Sequence, residues 1–265
     1  MSAYYQLIDR VITDDVVTSY YRSTIHAQGA WNPNEQHMAP ASGVISEELE
    51  HYFPRSDMRL ARISFEILGL ISFGEFSITT QCIRAGKTIE LIEAVMQSNG
   101  KIFIIARAWR LVIQDTKIIS GIEDKSIPLP ESYENWSGLE HWGGGFIQTI
   151  QARADKTNRA GKGIVWLNTE TKIVEGKDSS DFVHLMGMID MANGIVPRQR
   201  RELGWAFPNL DLQIHLYRYP TGQWLGLNTV QQYGADGIGL TSSILHDIQG
   251  PFGRCEQILS LRAFN

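Results

Sequence analysis

Residues 182–196, with the sequence FVHLMGMIDMANGIV, carry the clearest hydrophobic pattern in the chain. Four apolar residues recur there at helical spacing: Phe182, Leu185, Met186 and Ile189. This spacing predicts a helix that buries one face. The acidic and serine residues at 178–181 are N-cap candidates, and Asn193 with Gly194 forms a C-cap signal.

Asp190 interrupts this apolar pattern. On a helix its carboxylate would lie over Gly187 and beside Met186. It would also fall in the last turn, where the helix dipole disfavours an anion by a few tenths to about 1 kcal/mol. Stability therefore explains this residue poorly, and two interpretations remain open: a functional acid, or a surface or capping aspartate at a frayed helix end.

The rest of the chain alternates strand patterns with one further helix, predicted at 38–53 after a turn at 31–34. Residues 4–17 indicate at most a short helix. β-Branched and aromatic runs predict strands at 16–27, 59–70, 75–83, 88–97, 101–113, 146–154, 163–168, 210–218, 223–232, 237–246 and 253–263. Asn99 and Gly100 form the strongest hairpin signal among the turns.

The two halves repeat one order of elements: strand, helix, then four strands, at a shift of about 150 residues. Gly100 then meets Gly250, and Gln81 meets Gln231. An apolar helix face must be buried against a sheet, so the prediction is an α+β fold of two antiparallel sheets, each wrapped around one central helix. We predict an N-terminal domain at 1–125, a linker at 126–144 and a C-terminal domain at 145–265.

Composition and charge narrow the function classes. The net charge is −5 without a block of basic residues, which disfavours nucleic-acid and anionic-membrane partners. Two cysteines, Cys82 and Cys255, give no disulfide framework and suit a reducing compartment. The N-terminus has no signal-peptide pattern, and the apolar runs are too short to insert into a membrane. These features predict a cytoplasmic protein.

Common catalytic motifs do not occur. The sequence has no nucleophile elbow, phosphate-binding loop or zinc-protease motif, and its seven histidines have no metal-ligand spacing. The glycines at 143–145 precede a strand rather than a helix, which disfavours a phosphate site. No metal and no cofactor is predicted. Catalysis, if present, would use carboxylate, amide, hydroxyl and backbone N–H groups.

Several segments, in this order along the chain, resemble the double-hotdog acyl-CoA thioesterases of type II. They are residues 62–67, 106–110, 189–194, 209–216, 223–225 and 253–257. In that family two hotdog units, each a helix wrapped by an antiparallel sheet, are fused in one chain. The resemblance implies hydrolysis of an acyl-CoA or acyl-carrier thioester, and a homodimer or higher homo-oligomer.

The resemblance also implies a catalytic set in the second hotdog. The helix aspartate of the family matches Asp190, and the glutamine of its last strand matches Gln257. Its strand threonine falls on Asn209, which offers an amide in place of a hydroxyl. A second departure is at 36–40, where the family often has glycines ahead of the first helix.

We expect Asp190 to activate a water molecule, with Asn209 and Gln257 holding that water or polarising the carbonyl. Backbone N–H groups near the start of a hotdog helix would contact the oxyanion. Acyl-channel candidates are Phe65, Trp109, Trp166 and Trp205, and candidates for coenzyme A phosphates are Arg84, Lys87 and Arg159.

Other interpretations stay open. Gln257 could be an exposed strand amide, and Asn209 a turn residue after Pro208. The chain could be a catalytically inactive acyl-thioester-binding protein of the same fold. A hotdog hydratase or dehydratase ranks last, because that class needs a histidine a few residues after the helix aspartate and residues 191–197 contain none.

Overall fold

The fold is described from a computed structural model, which describes residues 2–199 and 204–263. The strands are β1 (Ala3–Thr13), β2 (Val16–Ser23), β3 (Met58–Ile67), β4 (Glu75–Arg84), β5 (Ile89–Ser98), β6 (Lys101–Val112), β7 (Glu134–Asn135), β8 (Ile150–Ala154), β9 (Lys162–Thr169), β10 (Lys172–Val174), β11 (Trp205–Ala206), β12 (Asp211–Leu216), β13 (Leu225–Tyr233), β14 (Ile238–Asp247), β15 (Gly250–Ser260) and β16 (Arg262–Ala263). The α-helices are α1 (Met38–His51) and α2 (Asp181–Met186). Short 3₁₀ helices lie at Ile25–Ala27, Lys117–Ile119, Pro130–Ser132, Ile147–Thr149 and Ile189–Asn193.

Fourteen strands of the described residues form one continuous sheet, in the order β10-β1-β2-β4-β5-β6-β3-β12-β15-β14-β13-β9-β8-β7. The two halves meet where β3 pairs antiparallel with β12, with Ser64 opposite Gln213. The sequence predicted two sheets, and this pairing joins them into one. Pairing satisfies the backbone N–H and C=O groups that two free edge strands would leave open.

The two helices pack against each other, and α1 also contacts β4, β5 and β10 of the sheet. Every residue of α1 from 38 to 49 is buried. Ser42 Oγ donates to the carbonyl of Met186 over 2.7 Å. A Cβ atom added to Gly43 would lie 2.8 Å from Gly187 Cα and 2.8 Å from Ile173 Cδ1, so this glycine permits the close approach of the helices.

The second predicted helix is shorter than 182–196. Ser180 caps α2 by accepting the N–H of Val183 over 3.2 Å, and the α-helix ends at Met186. After Gly187 the chain continues as the 3₁₀ helix Ile189–Asn193, which carries Asp190 near its start. The expected opposition between Asp190 and the C-terminal end of a helix dipole was therefore wrong, because the α-helix ends before this residue.

The N-terminal segment was also mispredicted. Residues 4–17 gave only a weak helical signal, whereas Ala3–Thr13 forms β1. This strand pairs antiparallel with β2 and parallel with β10, with Tyr5 opposite Val174. Since β10 belongs to the C-terminal half, this contact ties the two halves together at the far end of the sheet.

The predicted linker is packed rather than free. Trp166 Nε1 donates to the carbonyl of Pro128 over 3.1 Å, and Arg153 Nη1 donates to that of Pro130 over 3.1 Å. Leu139 is buried in the main core. The domain boundaries at 125 and 145 stay a prediction. Across the described parts of the chain, we find no helix with the length and apolarity to span a bilayer.

Candidate active site

Three predicted residues meet at one point of the fold. Asn209 Nδ2 donates to Asp190 Oδ1 over 2.8 Å, and Gln257 Nε2 donates to the same oxygen over 3.0 Å. They come from the 3₁₀ helix, the loop before β12 and the strand β15 respectively. Their convergence is a structural observation, whereas their catalytic roles stay a prediction.

Strand pairing places the two amides. Asn209 forms a bridge with Leu259 just before β12 begins, and the N–H of Leu210 donates to the carbonyl of Ile258 over 3.0 Å. On β15 the alternation of side chains turns Cys255, Gln257 and Leu259 inward. Gln257 is 0% exposed, so it is not an exposed strand amide.

Burial sets the charge state of Asp190. The residue is 7% exposed, and burial raises the pKa of its carboxyl to about 6, although the bonds from Asn209 and Gln257 act in the opposite direction. This carboxylate therefore ionises close to neutral pH, where a general base is effective. Gln257 Oε1 is buried without a hydrogen-bond partner among the residues at 2–199 and 204–263.

His37 is a site residue that the sequence reasoning missed. Its Nδ1 lies 3.8 Å from Asp190 Oδ2, and it accepts the N–H of Ala39 over 3.0 Å as the N-cap of α1. Burial lowers the pKa of His37 to about 4, so the ring is neutral at pH 7 and the contact is not an ion pair. The unusual residues before the first helix were the available signal.

The start of α1 supplies a backbone donor. The first N–H groups of a helix have no intrahelical partner. The N–H of His37 donates to the carbonyl of Ala27 over 2.9 Å, the N–H of Ala39 is held by the His37 ring, and Pro40 has none. Within residues 2–199 and 204–263 the N–H of Met38 has no hydrogen-bond partner, and it lies at the positive end of the helix dipole.

A cavity of about 180 Å³ opens beside these groups. Residues 29–31, 35–38, 67 and 69–71 of the N-terminal half line one part, and residues 190, 191, 193, 194 and 207–209 of the C-terminal half line another. Leu139, Trp142 and Ile147 complete the wall. The cavity therefore needs both halves and the segment between them.

The aromatic residues predicted for an acyl channel do not line this cavity. Phe65 and Trp166 are buried elsewhere, Trp109 packs under the Arg84 guanidinium at 6.0 Å, and Trp205 is in β11. The aromatic residues that do line it are Trp31, Trp142 and Phe207. Those predictions failed because a bulky residue in a strand does not reveal which part of the interior it reaches.

The basic residues predicted for coenzyme A are also absent from the cavity wall, which includes none of Arg84, Lys87 and Arg159. Lys101 lies closer, since its Nζ is 3.8 Å from the position of a Cβ atom on the cavity residue Gly69. No group of three potential metal ligands occurs within the residues that the structure describes.

Solved structures identify the class of fold. A conserved protein of unknown function with a hotdog fold from Alicyclobacillus acidocaldarius is 10% identical, covers 96% of both chains and gives a TM-score of 0.75. An acyl-CoA thioesterase II from Mycobacterium marinum is 12% identical over 96% of both chains, with a TM-score of 0.67. The dehydratase domain from the CurJ module of curacin polyketide synthase is 11% identical, covers 97% of this chain and 96% of that one, and gives 0.58. The fold is a hotdog fold. No curated protein sequence matched the chain.

Family models assign the chain more specifically. The acyl-CoA thioesterase N-terminal domain matches residues 27–111, and the acyl-CoA thioesterase C-terminal domain matches residues 126–261. The chain belongs to the acyl-CoA thioesterase family and is a thioester hydrolase. His37 and Met38 fall in the first match, and Asp190, Asn209 and Gln257 fall in the second.

Proposed function

We propose that this protein hydrolyses acyl-CoA thioesters with Asp190 as the general base. The observation that carries the proposal is the pair of amide donors, Asn209 Nδ2 at 2.8 Å and Gln257 Nε2 at 3.0 Å, on one oxygen of a buried carboxylate. They fix the carboxylate in one orientation and leave Oδ2 to take a proton from water. Burial that raises the pKa of Asp190 to about 6 makes this oxygen basic enough for the task.

In the proposed reaction, the water oxygen bonds to the thioester carbonyl carbon as its proton passes to Asp190 Oδ2. The carbonyl oxygen becomes an oxyanion, which the N–H of Met38 at the start of α1 stabilises. The C–S bond then breaks, and the coenzyme A thiolate receives the proton from Asp190. The products are the free acid and the thiol, and no covalent enzyme intermediate forms.

Gln257 has a second proposed role. Its Oε1 is buried without a partner in the described chain, and an unsatisfied buried acceptor costs free energy. We assign this oxygen to the second hydrogen of the attacking water, whose lone pair then points toward the substrate carbon. His37 acts through structure, because its neutral ring caps α1 and so orders the Met38 N–H.

We interpret the two halves as two hotdog units that share one sheet, with α1 and α2 as their central helices. The helix contact at Gly43 and the β3–β12 pairing support this interpretation. The substrate carrier is coenzyme A or an acyl carrier protein, and we propose a homodimer or higher homo-oligomer. Light scattering in solution tests the assembly, and a paired assay of both carriers tests the substrate.

Release of free thiol from a panel of acyl-CoAs tests the hydrolysis itself. We expect turnover by the wild type and loss of at least about a hundredfold in kcat for Asp190→Asn. Binding of acyl-CoA without turnover by the wild type would instead indicate an inactive acyl-thioester-binding protein.

One observation favours a second candidate, a 3-hydroxyacyl dehydratase. The structure brings His37 from the N-terminal half to 3.8 Å from Asp190 in the C-terminal half, whereas the sequence offered no nearby histidine. Formation of a conjugated enoyl thioester from a 3-hydroxyacyl-CoA, followed by ultraviolet absorbance, distinguishes this reaction from thiol release.

A further inference from the structure

The cavity beside Asp190 is small for a lipid site. Its volume is about 180 Å³. For comparison, an apolar cavity of ~150 Å³ in another protein holds one benzene molecule. Met191, Leu139 and Ile147 on its wall are 3%, 6% and 7% exposed, so packed core residues bound part of the cavity. The space therefore suits a single ring better than a fatty chain.

The walls also have a specific aromatic geometry. The ring centroids of Trp31 and Trp142 are 5.1 Å apart at 68°, those of Trp31 and Phe207 are 6.0 Å apart at 83°, and those of Trp142 and Phe207 are 6.4 Å apart at 88°. All three contacts are edge-to-face, which is an arrangement that aromatic rings prefer.

These three rings come from separate parts of the chain. Trp31 precedes α1, Trp142 lies in the segment between the halves, and Phe207 is two residues before Asn209. Asn193 Nδ2 donates to the backbone carbonyl of Phe207 over 3.0 Å, which ties the Phe207 backbone to the 3₁₀ helix that carries Asp190. Phe207 is 4% exposed, so this bond and its packing hold it near the proposed base, and the rings of Trp31 and Trp142 contact it.

We infer that the preferred substrates are thioesters of one-ring aromatic acids, of the benzoyl and phenylacetyl class. The inference rests on the proposed function at the same site. A planar ring in the cavity would extend the edge-to-face cluster and bring its thioester carbonyl toward Asp190 and the N–H of Met38. Methylenes beyond the cavity would stay in water, so lengthening an aliphatic chain would not add to binding.

Two measurements test this substrate class. The first compares kcat/KM of the wild type for benzoyl-, phenylacetyl-, isovaleryl-, decanoyl- and palmitoyl-CoA, with the better aromatic substrate expected to exceed each aliphatic one by about tenfold or more. The second measures binding of the same thioesters to Asp190→Asn by calorimetry, with the same order expected. A preference for decanoyl or palmitoyl, or equal values for isovaleryl and the aromatic substrates, would overturn the inference.

Substitutions in the aromatic wall of the cavity provide a further test of the substrate class. Trp142→Leu and Phe207→Leu should each lower kcat/KM for the aromatic substrates. The ratio of this kcat/KM to the value for decanoyl-CoA should also fall. The matched control is Trp109→Leu, since Trp109 lies away from the cavity under Arg84. If both wall variants lost kcat/KM by the same factor on aromatic and aliphatic substrates, the inference would be contradicted.

These measurements distinguish failure of the proposed aromatic substrate class from failure of the proposed thioester hydrolysis. Hydrolysis with a long-chain preference overturns the substrate class and leaves the thioesterase proposal intact. Selective aromatic binding by Asp190→Asn without turnover by the wild type overturns hydrolysis and supports the substrate class.

Discussion

Asn209 Nδ2 donates to Asp190 Oδ1 over 2.8 Å, from the loop before β12 to the 3₁₀ helix after α2. The family resemblance predicts a threonine at this position, whose hydroxyl could donate in the same way. The amide adds a second contact, because Nδ2 also donates to the carbonyl of Asp211 over 3.2 Å. The substitution therefore preserves the donor to the carboxylate and anchors it to the start of β12.

The first prediction concerns the pH dependence of catalysis. Burial raises the pKa of Asp190 to about 6, and the proposed base must be ionised. We expect kcat/KM to rise with pH through about pH 6 and to level off near pH 8. His37 should not contribute an inflection in this range, because burial lowers its pKa to about 4. A flat profile between pH 5 and pH 8, measured with a substrate stable over that range, would exclude this assignment.

The second prediction concerns stability in Asp190→Asn. The folded state raises the carboxyl pKa from 3.8 to about 6, so the folded protein retains a proton that the unfolded chain releases. This retained proton stabilises the folded protein relative to the unfolded chain. The stabilisation is fully present below pH 3.8 and is lost as the pH rises through about 6. The stability of the variant relative to the wild type should therefore increase by about 2 kcal/mol between pH 4 and pH 8. Urea unfolding at the two pH values measures this, and a constant difference would contradict it.

The third prediction distinguishes the effect of the hydrogen-bond donor at Asn209 from the effect of the side chain's shape. In Asn209→Thr the hydroxyl can still donate to Asp190, so activity should stay within about tenfold of the wild type. Valine has nearly the same shape as threonine but carries no hydrogen-bond donor, so in Asn209→Val kcat should fall by about ten- to a hundredfold. Because the lost bond had lowered the pKa of Asp190, the midpoint of the pH profile should also move upward in Asn209→Val. Equal activity and equal midpoints in the two variants would show that the hydrogen bond is unimportant.

Hydrophobic periodicity predicted much of the fold, and it failed where tertiary contacts decide local structure. The helix at 182–196 was correct for α2 but not beyond Met186. The break follows Gly187, which packs against Gly43 of the other helix, and no local pattern reports that contact. Strand β1 was missed because its burial does not alternate: Ala3, Tyr4 and Tyr5 are all buried, and a bulge lies between Leu7 and Asp9.

The residues of the candidate site were also only partly predictable from the sequence. Asp190 interrupts an apolar face, and the family resemblance supplied Asn209 and Gln257, so these residues could be named from sequence. His37 precedes α1 and Trp142 lies between the two halves, and tertiary folding brings both to the cavity that Asp190 lines. Neither belongs to a periodic pattern that would have indicated a role.

The fourth prediction concerns the helix contact that links the two sides of the site. In Gly43→Ala the new Cβ would meet Gly187 Cα and Ile173 Cδ1, each at 2.8 Å. Overpacking of this kind costs about 1–3 kcal/mol, and urea unfolding should detect it. The matched control is Gly121→Ala, because a Cβ at Gly121 meets nothing within 4 Å.

Activity should respond to the same substitution. The Met38 N–H lies at the start of α1 and Asp190 follows α2, so forcing the helices apart separates the proposed oxyanion donor from the proposed base. We therefore expect kcat for Gly43→Ala to fall under conditions where the variant is still folded, and Gly121→Ala to match the wild type. A destabilised Gly43→Ala with normal kcat would show that the contact supports the fold without setting the geometry of the site.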